Sequence, residues 1–273
     1  MTLLRRGLLC AVLALSGGAS AQTWKPIGPD YGTVLALAHQ PGHDAVTLAG
    51  IYFGGLYRST DWGFTWKAID GGFSASSVFA IAFDPQSPQR VFAGGFTTGL
   101  WRSDDGGVTW AQGSNALSGR TVSAAAVDPT APSRVLVATP EGTYESNDRG
   151  ENWSPIAALA GLSGRSIAFD PLRPGTVFVG TVGSGVYHSS NDGQTWSPLA
   201  GGPVTASALS IDAAGHLYVA GDAGVWQWPQ GGTAWVDLRF NLPSAPVTGI
   251  HVHPAAPNVL FADIDFAAHS RPR

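Results

Sequence analysis

Four carboxylates, Glu141, Asp222, Asp263 and Asp265, fall in short connections between expected strands. Two carboxyl groups facing each other across a sugar are the minimum for glycoside hydrolysis, one as acid and one as nucleophile or base. Three arginines, Arg120, Arg165 and Arg239, fall in connections expected on the same side, where guanidinium groups could anchor a polar partner. Tyr52, Phe53, Phe73, Phe240 and Phe266 share those connections and would supply contact area. His251 and His253 project from one face of a strand, but zinc would need a third ligand, so neither metal nor cofactor is expected. No nucleophile elbow, phosphate-binding loop or HExxH helix is present. The chemistry open to this chain is therefore sugar hydrolysis by loop carboxylates, or binding without catalysis.

The elements that must position these residues come from one repeated pattern. Ser59-Thr-Asp61-Trp-Gly63-Phe-Thr-Trp66 recurs as Ser103-Asp-Asp105-Gly-Gly107-Val-Thr-Trp110. It returns as Ser146-Asn-Asp148-Arg-Gly150-Glu-Asn-Trp153 and as Ser189-Ser-Asn191-Asp-Gly193-Gln-Thr-Trp196. The closing tryptophans are 44, 43 and 43 residues apart, and decayed copies end at Trp24 and Trp235. Between boxes, an alternating strand runs into an Asp-Pro turn, a second strand follows, and a short loop leads to a third strand and the next box. Four short strands per unit, separated by turn residues, predict a β-propeller blade. First strands begin near Val34, Val78, Val122, Arg165, Val204 and Val247, which makes six blades. The expected fold is all-β: six four-stranded antiparallel blades, closed by the N-terminal strand at 23–27 joining the last blade, whose own third strand would be 267–273.

Turn chemistry accounts for the box. An Asp or Asn side chain accepts backbone N–H bonds across a tight reversal. Gly takes a positive φ at little cost, and a tryptophan can bury ~150–250 Å² against the neighbouring sheet. The Asp-Pro pairs at Asp84, Asp128 and Asp170 suit type I turns. These residues are read as structural; one or two carboxylates per turn are too few oxygens to cage calcium.

The chain has 273 residues, 44% hydrophobic and only 12% charged, with 28 aromatics, a composition that builds a packed, turn-rich domain. Arg5-Arg6, the apolar run to Leu15 and the small residues ending at Ala21 read as a secretory signal over 1–21, cleaved after Ala21, with the propeller filling 22–273. Cys10, the single cysteine, would leave with it, removing thiolate and disulfide chemistry. Losing Arg5 and Arg6 from 15 basic residues leaves 13 against 19 acidic ones, which gives no electrostatic footprint for nucleic acid.

On these boxes the chain resembles the Asp-box (bacterial neuraminidase repeat) propellers, a group that includes sialidases, xyloglucan-cleaving glycosidases, sortilin-type receptors and photosystem II assembly factors. The resemblance covers nearly all of 22–273. It implies the propeller fold and a binding face opposite the boxes, but it does not choose a chemistry, because enzymes and non-enzymes share the motif. A sialidase would need an arginine triad and a Tyr–Glu nucleophile pair; Arg120, Arg165 and Arg239 lack the arginine-isoleucine-proline motif, and Glu141 has no paired tyrosine in sequence. The segment from Gly50 to Arg58 is similar to the first blade of xyloglucan-cleaving propellers, yet Tyr52 stands where that family's catalytic aspartate would fall. Four strands and short turns use the whole repeat, leaving no insertion for a deep pocket. The sequence thus points to an exported monomeric propeller, secreted or periplasmic, binding a protein or an envelope glycan through Tyr52, Phe53, Arg120, Arg165, Arg239, Phe240 and Phe266. The alternative is a glycoside hydrolase using Glu141 with Asp222, Asp263 or Asp265.

Overall fold

A computed structural model describes residues 10–11, 28–29, 32–70, 73, 76–113, 115–222, 224–239, 245–253 and 256–264. Strand β1 is Cys10–Ala11. Sheet one runs β2 (Val34–His39), β3 (Thr47–Ile51), β4 (Gly55–Ser59), β5 (Lys67–Ala68). Sheet two runs β6 (Val78–Phe83), β7 (Val91–Gly95), β8 (Gly99–Ser103), β9 (Ala111–Gln112). Sheet three runs β10 (Ala124–Val127), β11 (Val135–Thr139), β12 (Gly142–Ser146), β13 (Ser154–Pro155). Sheet four runs β14 (Gly164–Phe169), β15 (Val177–Thr181), β16 (Val186–Ser189), β17 (Ser197–Pro198). Sheet five runs β18 (Ala208–Ile211), β19 (Leu217–Gly221), β20 (Gly224–Trp228), β21 (Val236–Asp237). The last sheet pairs β22 (Val247–His253) with β23 (Ala256–Ile264), and β1 lies along the outer edge of β23. Each of the five four-stranded sheets is a simple antiparallel meander in chain order.

Burial follows the sequence pattern. The second strands β3, β7, β11, β15 and β19 are buried at every residue and read as nearly unbroken runs of Val, Leu, Phe, Ala and Gly, because both faces are covered. The chain divides into two compact units, 19–179 with 188–197, and 1–18 with 180–187 and 198–273. In the first, Leu48, Leu56 and Phe73 pack with Val78, Val91 and Ala93, and Phe92 and Leu100 pack with Val122, Val135, Val137 and Trp153. In the second, Tyr218, Ala220 and Val225 pack with Val247 and Ile250.

The boxes fold as their chemistry dictates. Each serine hydroxyl donates to the Asp or Asn oxygen two residues on, at 2.8, 2.7, 2.8 and 3.0 Å, and accepts the N–H of the box glycine at 2.8–2.9 Å. The same Oδ1 accepts the N–H of Thr65, Thr109, Asn152 or Thr195. Gly63, Gly107, Gly150 and Gly193 all have φ between +79 and +86°. The tryptophans are less buried than their size suggests. Among the four box tryptophans only Trp153 is buried, at 8% exposed, and its indole N–H, like those of Trp110 and Trp196, returns to its own box glycine carbonyl.

Several expectations change. Phe73 is not an exposed contact residue: it is fully buried, its ring 5.4 Å from that of Trp101 and 5.3 Å from that of Trp110. Asp263 lies inside β23, opposite Gly249 and Cys10, not in a loop, because the last strand runs unbroken to Ile264. The third and fifth first strands begin at Ala124 and Ala208, later than expected. Val122 donates instead to Gly95 O, and Val204 accepts from Gly185, so both serve neighbouring loops before the ladder starts. The expected closing strand at 23–27, the final strand at 267–273 and the cleavage point lie outside the described residues.

Candidate functional site

The candidate face is built from the β3–β4 and β7–β8 loops and the segments that lead into β6 and β10. In the β3–β4 hairpin Ile51 pairs with Gly55, so Tyr52, Phe53 and Gly54 must reverse the chain. That reversal puts Phe53 at φ +51°, a left-handed conformation that bulky residues avoid. Thr97, at the same place in the β7–β8 hairpin, has φ +55°. Both tips are tied down. The Phe53 N–H donates to Ser77 Oγ at 3.0 Å, the Phe96 N–H donates to Ser77 O at 2.9 Å, and Ser76 Oγ donates to Phe96 O at 3.2 Å. One serine thus holds two aromatic tips.

Those tips face water. Tyr52 is 52% exposed, Phe53 59% and Phe96 52%. The Tyr52 and Phe53 rings meet edge-to-face at 4.5 Å. Edge-to-face contact is a favoured aromatic geometry and leaves ring surface for a partner. Phe96 escaped the sequence reading, although a signal existed: aligning the two hairpins on Gly55 and Gly99 sets Phe96 against Tyr52.

The arginines do not form one anchor. The Arg120 guanidinium lies 3.5 Å from Glu141 and 5.4 Å from the Tyr144 ring centre, while its Nε donates to Ala116 O. Tyr144 is a partner that sequence alone did not offer. Arg165 is exposed on β14, and its side chain makes no hydrogen bond or ion pair with another described residue. Arg239 belongs to the other unit, where both Asp237 oxygens accept from it and its guanidinium lies 4.9 Å over Trp226. This pairing raises the Arg239 pKa and lowers that of Asp237. Asp222 is an exposed loop residue of that unit, whereas Glu141 belongs to the first. Asp265, Phe240 and Phe266 lie outside the described residues.

General acid catalysis calls for a carboxyl pushed up toward neutrality. Among the described residues the carboxyls clearly displaced, Asp61, Asp105, Asp148, Asp212 and Asp237, all move down. Among the described residues no three His, Asp or Glu gather where they could hold a metal ion.

The geometry defines an all-β protein of four-stranded antiparallel sheets with propeller-like relatives. The sortilin/Vps10 family (sortilin, neurotensin receptor 3) matches residues 98–207, under half of the chain. No curated protein matches the sequence. Among solved structures, the GH74 xyloglucanase from Xanthomonas campestris superposes with TM-score 0.75 at 21% identity, over 88% of this chain and 43% of its own. An ancestral GH74 enzyme gives 0.73 at 20% identity, over 87% of this chain and 35% of its own. The extracellular domain of a hybrid two-component system from B. thetaiotaomicron gives 0.69 at 14%, over 89% and 33%. The chain therefore spans under half the length of these structures. The family match and these likenesses together support a sialidase- and xyloglucanase-like propeller superfamily.

Proposed function

We propose that this is an exported, secreted or periplasmic, monomeric propeller that binds a protein or an envelope glycan without catalysis. The aromatic ledge of Tyr52, Phe53 and Phe96 makes the principal contact, and Arg165, whose guanidinium pairs with no other described residue, lies on the same unit. The observation that carries this reading is Phe53, a large apolar side chain held exposed in a left-handed backbone conformation by the Ser77 hydroxyl. Strain of that kind clusters at ligand contacts, and exposed aromatics are the usual centre of binding energy. Among the described residues no helix is long and apolar enough to cross a membrane. In this reading the repeated units build six blades, as the six expected first strands imply. The test is capture of envelope protein and binding to a glycan array by the wild type and by Tyr52→Ala/Phe53→Ala. Loss of the captured ligand in the variant supports the proposal, and equal capture overturns the assigned face.

The GH74 likeness favours a second reading, a glycoside hydrolase that uses Glu141. Turnover of a chromogenic glycoside that disappears in Glu141→Gln would replace the first reading with this one.

A further inference from the structure

We infer that the cleft between the outer strands of sheet two and the third box is a second binding site, and that its ligand is one or two residues of a neutral carbohydrate. The cleft has a volume of about 370 Å³ and is lined by Arg102, Asp104, Gln112, Asn115 and Glu151 around the bare backbone of Gly113 and Gly150. That volume lies in the range of small-molecule sites.

Its charged groups are paired with one another. Arg102 donates from Nη1 to Glu151 at 2.6 Å and from Nε to Asp104 at 2.9 Å, and Arg90 Nε donates to the other Asp104 oxygen at 2.9 Å. Burial opposes the charge on Arg102, but its bonds to Glu151 and Asp104 outweigh this and raise its pKa. Arg90 also lies 3.6 Å from Asp84, so two guanidiniums meet three carboxylates and neither is free to hold a phosphate. The groups left with hydrogen-bonding capacity are neutral or shared. The Asn115 amide bonds no other described residue, Gln112 uses only its Nε2, toward Ser118, and Glu151 keeps its second oxygen. Together they offer donors and acceptors at the mouth of one cleft, which matches hydroxyl groups that both donate and accept.

The repeat itself does not demand these residues. At the junction of sheets one and two, Ala68 holds the place of Gln112 and Val108 that of Glu151, and Arg58 donates to the Gly106 carbonyl for want of a carboxylate. The fold is served equally well there by apolar groups. The repeat alone therefore does not require the polar set at the second junction.

Nitrogen-15 spectra of the protein test this directly, since the side-chain amides of Gln112 and Asn115 and the backbone amides of Gly113 and Gly150 all report from the cleft. The probes are cellotetraose, xylotetraose and tetra-N-acetylchitotetraose, each added to ~10 mM, enough to reveal a millimolar site. The expected result is that one of them shifts these four signals together. Gln112→Ala/Asn115→Ala then weakens that sugar at least about tenfold, while Tyr52→Ala/Phe53→Ala leaves it unchanged. Both cleft residues are exposed, so the rest of the spectrum shows that the fold survives. If none of the three sugars moves the cleft signals, or if the cleft variant binds like the wild type, the inference is overturned.

Discussion

The backbone N–H of Phe53 donates to the hydroxyl of Ser77 at 3.0 Å, and this bond reaches from the tip of sheet one to the entry of sheet two. It holds a phenylalanine where a glycine would sit more easily. A non-glycine residue at φ +51° carries a penalty of ~1–2 kcal/mol. The ring is 59% exposed and so contributes little burial in return. Phe53→Gly is therefore expected to leave the melting temperature unchanged or raise it by up to ~4 °C, while weakening ligand capture; calorimetry and pull-down check the two halves separately. A fall of several degrees would mean that the ring supports the fold and is not set aside for a partner.

Gly150 rests against the ring of Phe92, so that a Cβ on it would stand 2.5 Å from the nearest ring carbon, at a φ of +86°. Gly161 has a similar φ of +76°, but its Cβ would meet nothing within 4 Å. The pair separates steric clash from backbone strain. Gly161→Ala is expected to cost ~1 kcal/mol, and Gly150→Ala ~3 kcal/mol or more, because Phe92 is fully buried and cannot withdraw. Urea unfolding of the two variants measures the difference.

Most of the strand architecture could be read from the repeat because each unit states its turns twice, once in the Asp box and once in the Asp-Pro pair. Asp84, Asp128 and Asp170 are almost wholly buried and accept N–H groups of their own turns, as that chemistry requires. The candidate site was less legible for two physical reasons. First, a loop aromatic looks the same in sequence whether it caps a core or meets solvent. Phe73 and Phe53 both follow strands, yet Phe73 falls between two tryptophan rings and Phe53 is turned outward by its positive φ. Second, ion pairs form between repeats, and sequence spacing is silent on them. Arg120 meets Glu141, and Arg102 meets Glu151, 49 residues away. The sixth sheet carried no box, so nothing marked where β23 would stop, and Asp263 ended up within it.

Acid should weaken the boxes in a defined window. Asp148 is held at about 2 by the Asn152 backbone N–H, then its side-chain amide, then Ser146. Asp105 is also held at about 2: burial pushes it up, but bonds from Thr109 and Ser103 outweigh that. Thr65 lowers Asp61 in the same way. Because these carboxyls are more acidic folded than unfolded, their stabilising effect is complete above pH ~4 and is lost as pH falls toward 2. Asn191 does the same work in the fourth box with an amide that has no proton to gain, accepting from Thr195 N–H at 3.0 Å and donating to its hydroxyl at 2.9 Å. Asp105→Asn/Asp148→Asn should therefore flatten the decline of melting temperature between pH 4 and 2, and Asn191→Asp should steepen it. Parallel slopes for all three proteins would mean that acid unfolding is governed elsewhere.

Arg134 poses the opposite problem, a guanidinium only 4% exposed whose Nε, Nη1 and Nη2 find no hydrogen-bond partner. Asp128 stands 3.8 Å away and Glu145 3.6 Å, beyond hydrogen-bond length, and the Phe169 ring centre lies 5.4 Å from its Cζ. Gly193 of the fourth box passes so close that a Cβ there would meet Nη2 at 2.5 Å. The arginine thus wedges between sheet three and the next box, compensated by charge more than by directed bonds. Removing it would leave Asp128, buried to 2%, facing Glu145 without a counter-charge. Arg134→Met, similar in length and apolar, keeps the packing but not the charge, and is expected to cost ~3–5 kcal/mol in urea unfolding. Arg134→Met/Glu145→Met removes the like-charge repulsion and should recover a large part of that loss. If the single variant were already neutral, the three charges would be contributing no more than an apolar plug of the same shape.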